Sequence, residues 1–464
     1  MLTIVLLALA ALFPAFAKTQ PNIILAMGDD HGWHETSYNH HPRLKTPTLD
    51  AMAAHGFRFD RFYAAAPVCS PTRGSIMTGR HPNRYGTFSP NHSIRPEEIT
   101  IAQLLQRAGY ATGHFGKWHL GPVRGGVPTN PGAMGFDQWL SHDNFFGYNP
   151  KFDRNGADPE RFPGESSEIV VTEALKFIKS AVARRQPFFA VVWFGSPHEP
   201  YAAIDEDMIP FKDLTNLDRR LRHRFGEIVA LDRSMGWLRD YLRDAGIRDK
   251  TLLWYTSDNG TPREVCVWTP LRGHKGNLYE GGIRVPSVIE YPPLIPAARS
   301  TAVPAVTSDI FPTLCDLLGI DLPKRPLDGR SLLPLIRGKV SERSEPIRFW
   351  VYDRRGEAKG EPWIDPKLQH GNLPTSKRYT IDFVNFRHPV ARTSNFGGSA
   401  AITGNRYKLF VPVKGAPELY DIPADIGEKH DVAAEHPDIV RDLEAQLRSW
   451  QKSVETSLTG ADYK

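Results

Sequence analysis

The chain alternates short, mostly apolar runs with longer stretches in which apolar positions recur every three or four residues. Residues 22–27, 110–115, 187–194, 251–255 and 285–290 are runs of the first kind and have the length of buried strands. Residues 57–63 alternate polar and apolar side chains and predict a further strand. Residues 166–185 and 218–245 carry helical periodicity and predict long amphipathic helices. Shorter helices are predicted after Thr46-Pro47 as far as Ala54, from Thr100 through Arg107, and over 309–318. Gly56, Gly109 and Gly319 stand just past their ends. Apolar strands alternating with helices predict an α/β sheet covered on both faces.

The polar residues able to do chemistry follow the carboxyl ends of these strands, where open α/β sheets bind ligands. Gly28-Asp29-Asp30 follows the first strand, and Gly116-Lys117-Trp118-His119 follows 110–115. Ser196-Pro197-His198-Glu199-Pro200 follows 187–194, and Ser257-Asp258-Asn259-Gly260 follows 251–255. The strand 57–63 leads through three alanines into Pro67-Val68-Cys69-Ser70-Pro71-Thr72-Arg73-Gly74. Pro71 suits the first turn of a helix. Cys69 then lies at the positive end of that helix, a place for an anion, and Arg73 is one turn further on.

Taken singly, each of these residues has a plain structural alternative. A lone Cys is commonly inert packing. Asp29-Asp30 and Asp258-Asn259-Gly260 are acceptable turns, Lys117 and Lys275 acceptable surface lysines, and His119 and His198 acceptable structural histidines. Taken together, the Asp29, Asp30, Asp258 and Asn259 side chains offer hard oxygen ligands with no imidazole or thiolate among them. That set suits calcium (Ca2+) rather than zinc.

The string Pro67 to Gly79, with its Cys69-x-Pro71-x-Arg73 core, resembles the signature of the type I sulfatases of the alkaline-phosphatase superfamily. Gly109-Tyr110-Ala111-Thr112-Gly113-His114-Phe115-Gly116-Lys117-Trp118-His119 resembles the second signature, with Phe115 where a smaller or aliphatic residue is usual. Pro197-His198-Glu199-Pro200, Gly273-His274-Lys275-Gly276 and Glu280-Gly281-Gly282-Ile283-Arg284-Val285-Pro286 resemble later elements in the same order. The resemblance runs from about Asn22 to Pro286, with an echo at Glu418-Leu419-Tyr420-Asp421-Ile422. It implies an alkaline-phosphatase-like α/β/α sandwich built on a large mixed, mostly parallel sheet. It also implies that Cys69 is oxidised to 3-oxoalanine (formylglycine) by a maturation enzyme. A calcium ion would lie on Asp29, Asp30, Asp258, Asn259 and the oxygen at position 69. Arg73, Lys117, His119, His198 and Lys275 complete the implied site. His198 with Lys275 would serve the leaving alcohol, His119 would take the proton that drives sulfate out, and Arg73 would hold the hydrated aldehyde.

From about residue 341 the texture changes. Residues 348–352 and 400–410 look like strands, 437–455 like a closing helix, and 354–378 like a basic loop that includes His370. This predicts a catalytic unit over 18–340 and a smaller α+β subdomain over 341–464. Residues 4–17 are apolar and end in Ala15-Phe16-Ala17, so 1–17 reads as a cleaved signal peptide and the protein as secreted or periplasmic. No other run is long and apolar enough for a membrane span. With 57 Lys+Arg against 52 Asp+Glu, the net charge of +5 is too small to argue for nucleic acid. Three cysteines exclude a disulfide scaffold but leave open a pair between Cys266 and Cys315.

The resemblance implies a sulfate-ester hydrolase, and a secreted one meets sulfated polysaccharide or glycosaminoglycan. Trp139, His142, Asp143, Asn144, Phe145, Phe146 and Tyr148 are expected as an aromatic–polar loop able to stack on sugars. Two rivals remain: a phosphate or phosphonate ester hydrolase of the same superfamily, and an unmatured protein that binds glycans without cleaving them.

Overall fold

The computed structural model describes residues 20–214, 219–354, 359–369, 382–391 and 396–464. The expected signal peptide lies outside these residues, as do His370 and about half of the 354–378 loop. The strands are β1 (Asn22–Gly28), β2 (Phe57–Tyr63), β3 (Ala111–Lys117), β4 (Gln138–His142), β5 (Lys151–Arg154), β6 (Glu160–Arg161), β7 (Phe188–Trp193), β8 (Thr251–Ser257), β9 (Arg284–Glu290), β10 (Arg299–Thr301) and β11 (Ala305–Val306), followed by β12 (Ile347–Trp350), β13 (Ala400–Thr403), β14 (Tyr407–Val411) and β15 (Glu418–Asp421). The helices are α1 (Pro47–His55), α2 (Cys69–Thr78), α3 (Ile101–Arg107), α4 (Ser166–Ala183), α5 (Asp205–Met208), α6 (Arg219–Asp244), α7 (Glu280–Ile283), α8 (Ile310–Leu318), α9 (Leu333–Ile336) and α10 (Pro437–Leu458).

The large sheet runs β10-β2-β9-β8-β1-β7-β3-β4-β5-β6, with β11 also on β2. Strands β8, β1, β7, β3 and β4 are mutually parallel, and β9 and β5 run against their neighbours. The continuous apolar runs are explained by burial on both faces. Ile23, Leu25 and Met27 of β1 pack into one layer with Ile76, Leu105 and Phe311 from α2, α3 and α8. Ile24 and Ala26 pack into the other with Met52, Ile178 and Met235 from α1, α4 and α6. The result is the expected α/β/α sandwich. Because β2, β3, β7 and β8 share β1's direction, their carboxyl ends all open at one edge.

Two stretches differ from expectation. The segment 139–148 is not all loop, because Trp139 to His142 form β4 beside β3. Its polar residues concealed the strand; they are buried and bonded, with Ser141 Oγ 2.7 Å from His114 Nδ1. Residues 400–410 are not one strand but a hairpin, turning where the Gly404 N–H donates to the Tyr407 carbonyl at 2.9 Å. The possible pair also fails: Cys266 and Cys315 are both free thiols, the latter buried in the α8 layer.

The small antiparallel sheet β12-β13-β14-β15 is covered on both sides. Ile402, Leu409 and Leu419 face α10, packing on Leu447, Trp450 and Val454. Phe349, Ala401 and Phe410 face the large sheet, packing on Tyr63, Ile283 and Val306. At this second interface Lys408 is fully buried, with its Nζ 3.0 Å from Glu280 Oε1 and 2.8 Å from Glu428 Oε1. Glu280 also accepts from Arg284 and the Tyr63 hydroxyl. Lys408→Met leaves two carboxylates facing each other without their shared cation. We expect it to lower stability in urea unfolding by about 3–5 kcal/mol; an unchanged midpoint would show that the network carries none of the interface.

Candidate active site

Each strand end delivers one part of a buried charge cluster. β1 stops at Gly28 and presents Asp29 and Asp30, which are 0% and 1% exposed. β2 leads to α2, whose first residue is Cys69 and whose N-cap is Val68. Arg73, one turn along α2, is fully buried and points back to the sheet. Its Nε and Nη2 donate to Asp258 Oδ2 at 3.1 and 2.7 Å, its Nη1 donates to the Lys117 carbonyl at 2.9 Å, and Nη2 lies 3.6 Å from Asp29 Oδ1. β3 ends in Lys117, whose Nζ is 2.6 Å from Asp29 Oδ2. Gly116 carries a φ of +103°, and a Cβ there would sit 1.9 Å from the Trp193 carbonyl oxygen, so only glycine lets β3 press against β7 at this point.

β8 delivers Asp258 and Asn259. Asp258 Oδ1 accepts from the Asp30 N–H at 3.0 Å, and Asn259 Nδ2 donates to Asp30 Oδ1 at 2.7 Å. Lys275 Nζ lies 2.7 and 2.8 Å from the two oxygens of Asp30. Its loop is tied to both neighbours: Lys275 N–H donates to the Thr261 carbonyl, and Gly276 N–H to the Pro67 carbonyl, each at 2.9 Å. Asp29, Asp30, Cys69 and His198 each offer a ligand atom within 4.8 Å of the others. All the sequence-predicted site residues except His119 are thus joined by direct contacts or by that cluster, and His119 follows Lys117 by two residues on the same strand end.

Charge compensation governs the titrations. Burial alone would raise Asp30, but Lys275, His198 and Lys117 outweigh it and hold its carboxyl well below the usual carboxylate range. Burial, then Asp29, pushes Asp258 up to about 6 despite Arg73. Burial pushes the Cys69 thiol up to about 12 against the pull of Lys117 and Lys275, so an unmodified thiol here is protonated at neutral pH. Burial drives His198 down to about 3 and His119 well below its ordinary value, the latter with help from Lys117 and Arg73. Both imidazoles are therefore neutral. His119 Nε2 meets Asn91 twice, 2.7 Å from its Oδ1 and 3.3 Å from its backbone N–H, and Nδ1 is buried without a partner. His198 Nδ1 donates to the Glu199 carbonyl at 2.6 Å, which leaves Nε2 as its acceptor, 3.6 Å from Asp30 Oδ2.

The structure also assembles residues that sequence patterns missed. Arg224, on α6, is fully buried and forks onto Glu35, with Nε to Oε1 at 2.8 Å and Nη2 to Oε2 at 2.6 Å. The same guanidinium donates to the Asp30 and Pro197 carbonyls. Glu35 in turn accepts from the Gly32 N–H at 2.9 Å and the Thr261 hydroxyl at 2.8 Å. One ion pair therefore fixes the loops that carry Asp30, His198 and Asn259. The signal was present: Arg224 falls on the apolar stripe of α6, between Leu221 and Ile228, where a charge demands a buried partner. Asn91 left no such mark, since it comes from a loop and meets His119 only in three dimensions; its Oδ1 also accepts from Asn144, which the sequence had placed in the aromatic–polar segment.

Residues 21–320 match the family model described as Sulfatase. The chain belongs to the sulfatase family. N-acetylgalactosamine-6-sulfatase of Sus scrofa is 34% identical over 388 residues, spanning 75% of this chain and 72% of that protein. Arylsulfatase A of Homo sapiens is 30% identical over 497 residues, spanning 98% and 92%. The crystal structure of Ps i-CgsB in complex with k-i-k-neocarrahexaose superposes with a TM-score of 0.80 at 25% identity, covering 94% of each chain. Sulfatases are sulfuric ester hydrolases, and that is the enzyme class of this chain.

The loop clamp has a measurable consequence. Lysine cannot reproduce the guanidinium fork, so Arg224→Lys should displace Asp30 and His198 slightly without removing either. We expect kcat/KM on an aryl sulfate to fall about tenfold to a hundredfold. An unaltered kcat/KM would show that the loops are held without the clamp.

Proposed function

We propose that this sulfatase is a secreted or periplasmic enzyme that removes sulfate from the sugars of sulfated polysaccharides or glycosaminoglycans, using 3-oxoalanine formed from Cys69 and a calcium ion. The observation that carries this reading is the placement of Cys69 within 4.8 Å of Asp29 and Asp30, with a thiol too buried to ionise. As a thiol, residue 69 is a poor nucleophile there; as a carbonyl hydrate it needs no thiolate. The sugar assignment draws on relatives named for N-acetylgalactosamine 6-sulfate and on the neocarrahexaose complex. Secretion draws on the apolar 4–17 run and its small-residue end.

The residues present fit a hard divalent cation. Asp29 Oδ1 and Asn259 Oδ1 are buried with no hydrogen-bond partner, and the Asp30 and Asp258 carboxylates are bonded into the same cluster. Asp29, Asp30, Asp258 and Asn259 would hold the ion, with an oxygen on residue 69. Calcium there would supply positive charge against the three carboxylates and polarise a sulfate oxygen. An aldehyde hydrate at position 69 would supply two hydroxyls on one carbon, one to accept the sulfuryl group and one whose deprotonation releases sulfate.

The chain's own side chains then divide the work. Arg73, pinned to Asp258 and to the Lys117 carbonyl, cannot swing away, so its charge is preorganised beside residue 69. Lys117 and Lys275 bring two more cations toward the anionic ester. His119, whose Nδ1 is buried and unpartnered, would take a proton from the residue 69 hydroxyl. His198 sits beside Lys275 at the face where the leaving alcohol departs. The ester's negative charge offsets the burial penalty on His198 and raises its affinity for the proton that the leaving oxygen takes up.

Mass analysis of the peptide containing residue 69 should find it lighter than the thiol form by loss of hydrogen sulfide and gain of one oxygen. Cys69→Ser should lose that change and lower kcat about a thousandfold or more; wild-type turnover by the serine variant would refute the scheme. Chelation by EGTA should abolish turnover and lower the unfolding temperature, and added calcium should restore both. Retention of full activity after exhaustive chelation would remove the metal from the proposal.

A further inference from the structure

Arg73, Lys117, His198 and Lys275 all face carboxylates of the cluster, and those charges hold them. His119 is held differently, by an amide. It stands two residues past β3 with a φ of +57°, and its Nε2 lies 2.7 Å from Asn91 Oδ1.

Asn91 is in turn fixed from three sides. Its Oδ1 accepts from Asn144 Nδ2, beyond β4, at 3.1 Å. Its N–H faces Ser70 Oγ, next to Cys69 on α2, at 3.2 Å and His119 Nε2 at 3.3 Å. Its carbonyl accepts from the Val384 N–H at 2.9 Å. Val384 belongs to a strap from far along the chain: its carbonyl accepts from the Ser93 N–H, also at 2.9 Å, and the neighbouring Phe383 ring stands across the His119 imidazole, with centroids 6.2 Å apart and planes at 74°. Gln369 grips Phe383 through both its N–H and its carbonyl. Asn91 itself has a φ of +63°, a conformation that asparagine accepts more readily than most residues with a side chain.

A neutral imidazole takes a proton at one nitrogen while the other carries a hydrogen, and the partner of the second nitrogen decides which is which. The shorter of the two contacts to His119 Nε2 is with an oxygen that already accepts from Asn144, and the Asn91 N–H has Ser70 Oγ as its other acceptor. His119 Nδ1 is buried with no partner, a cost that a proton donor removes.

We propose that Asn91 is the positioning residue of His119: its amide oxygen accepts from Nε2–H, fixes the plane of the ring and leaves Nδ1 as the base. The proposal rests on the reading of His119 as the group that takes a proton from residue 69, and adds to it what holds that base in place. Asn91 acts through His119 and not on the substrate.

Asn91→Gly removes the amide and keeps the backbone, because glycine adopts the same positive φ and retains the N–H and carbonyl that meet Ser70 and Val384. On 4-nitrophenyl sulfate kcat should fall about tenfold to a hundredfold with KM unchanged. A crystal structure of the variant, which needs no modified residue 69, should show the His119 ring turned or spread over two orientations with Lys117 still on Asp29. Asn91→Asp is the second variant. A carboxylate only accepts, so this variant should keep the ring in place and retain most of the turnover. Its charge should also raise the proton affinity of His119, which burial and then Lys117, Arg73, His198 and Lys275 depress, and so move the acid limb of the kcat–pH profile upward by about one unit. Either a wild-type kcat or an unmoved His119 ring in Asn91→Gly would overturn the proposal. An Asn91→Asp variant as impaired as Asn91→Gly, with its acid limb unmoved, would overturn it too, since the amide oxygen would then not be the group that matters. Full turnover by His119→Ala would instead defeat the base itself, a failure distinct from the others.

Discussion

Asp29, Asp30 and Asp258 are shut away from water together with Arg73 and Lys117, with the partly exposed Lys275 closing over Asp30, and neither set is tolerable there without the other. Burying a lone charge costs several kcal/mol even after relaxation. The carboxylates come from two strand ends and the cations from three separate elements, so every one of those loops must be in register for any to be stable. The sandwich supplies that register. Central strands gripped by two apolar layers fix where each strand stops, and parallel direction puts the stops at one edge. Compensation is incomplete, since Asp258 is still pushed upward and two oxygens lack partners. That residual imbalance is what the proposed cation would satisfy.

The strand ends were legible in the sequence because a strand buried on both faces leaves a continuous apolar run, and the first polar residue after it marks the edge. Asp29, Lys117, His198 and Asp258 were all found in this way. The Cys69 turn was legible from the family signature, and Thr100 from its capping pattern, which the structure closes as a reciprocal box with Gln103. What was not legible has physical causes. β4 was missed because Ser141 and His142 satisfy themselves by buried hydrogen bonds, which breaks the apolar pattern without breaking the strand. Arg224 was missed because a charge on a long basic helix reads as solvated until its partner, 189 residues away, is known. Asn91 was missed because its positive φ and its bond to His119 are properties of the folded loop alone.

The small sheet does more than fill space beside the large one. Its inner face meets Tyr63, at the end of β2, and Ile283, at the end of α7 just before β9, so it supports the strand that feeds α2. The Lys408 cluster adds charge matching to that contact, and Arg61 reaches across to the Gly404 and Asn405 carbonyls. α10 then locks the far side, with Arg84 bonded to Ser453 and Ser457 and Trp450 Nε1 to Asp328.

Residues 462 and 463 carry this locking to its extreme. Asp462 pairs with Arg80, just beyond α2, and the Tyr463 hydroxyl bonds Glu98 while its ring lies 3.8 Å from the Arg95 guanidinium carbon and 5.1 Å from that of Arg325. Arg80 is wholly buried between two carboxylates, Glu98 at 3.0 Å and Asp462, the second of them 382 positions later in the chain. During synthesis the segment around α2 emerges 382 positions ahead of the carboxylate that joins it. Contacts joined over such a distance along the chain add loop-closure cost and slow folding.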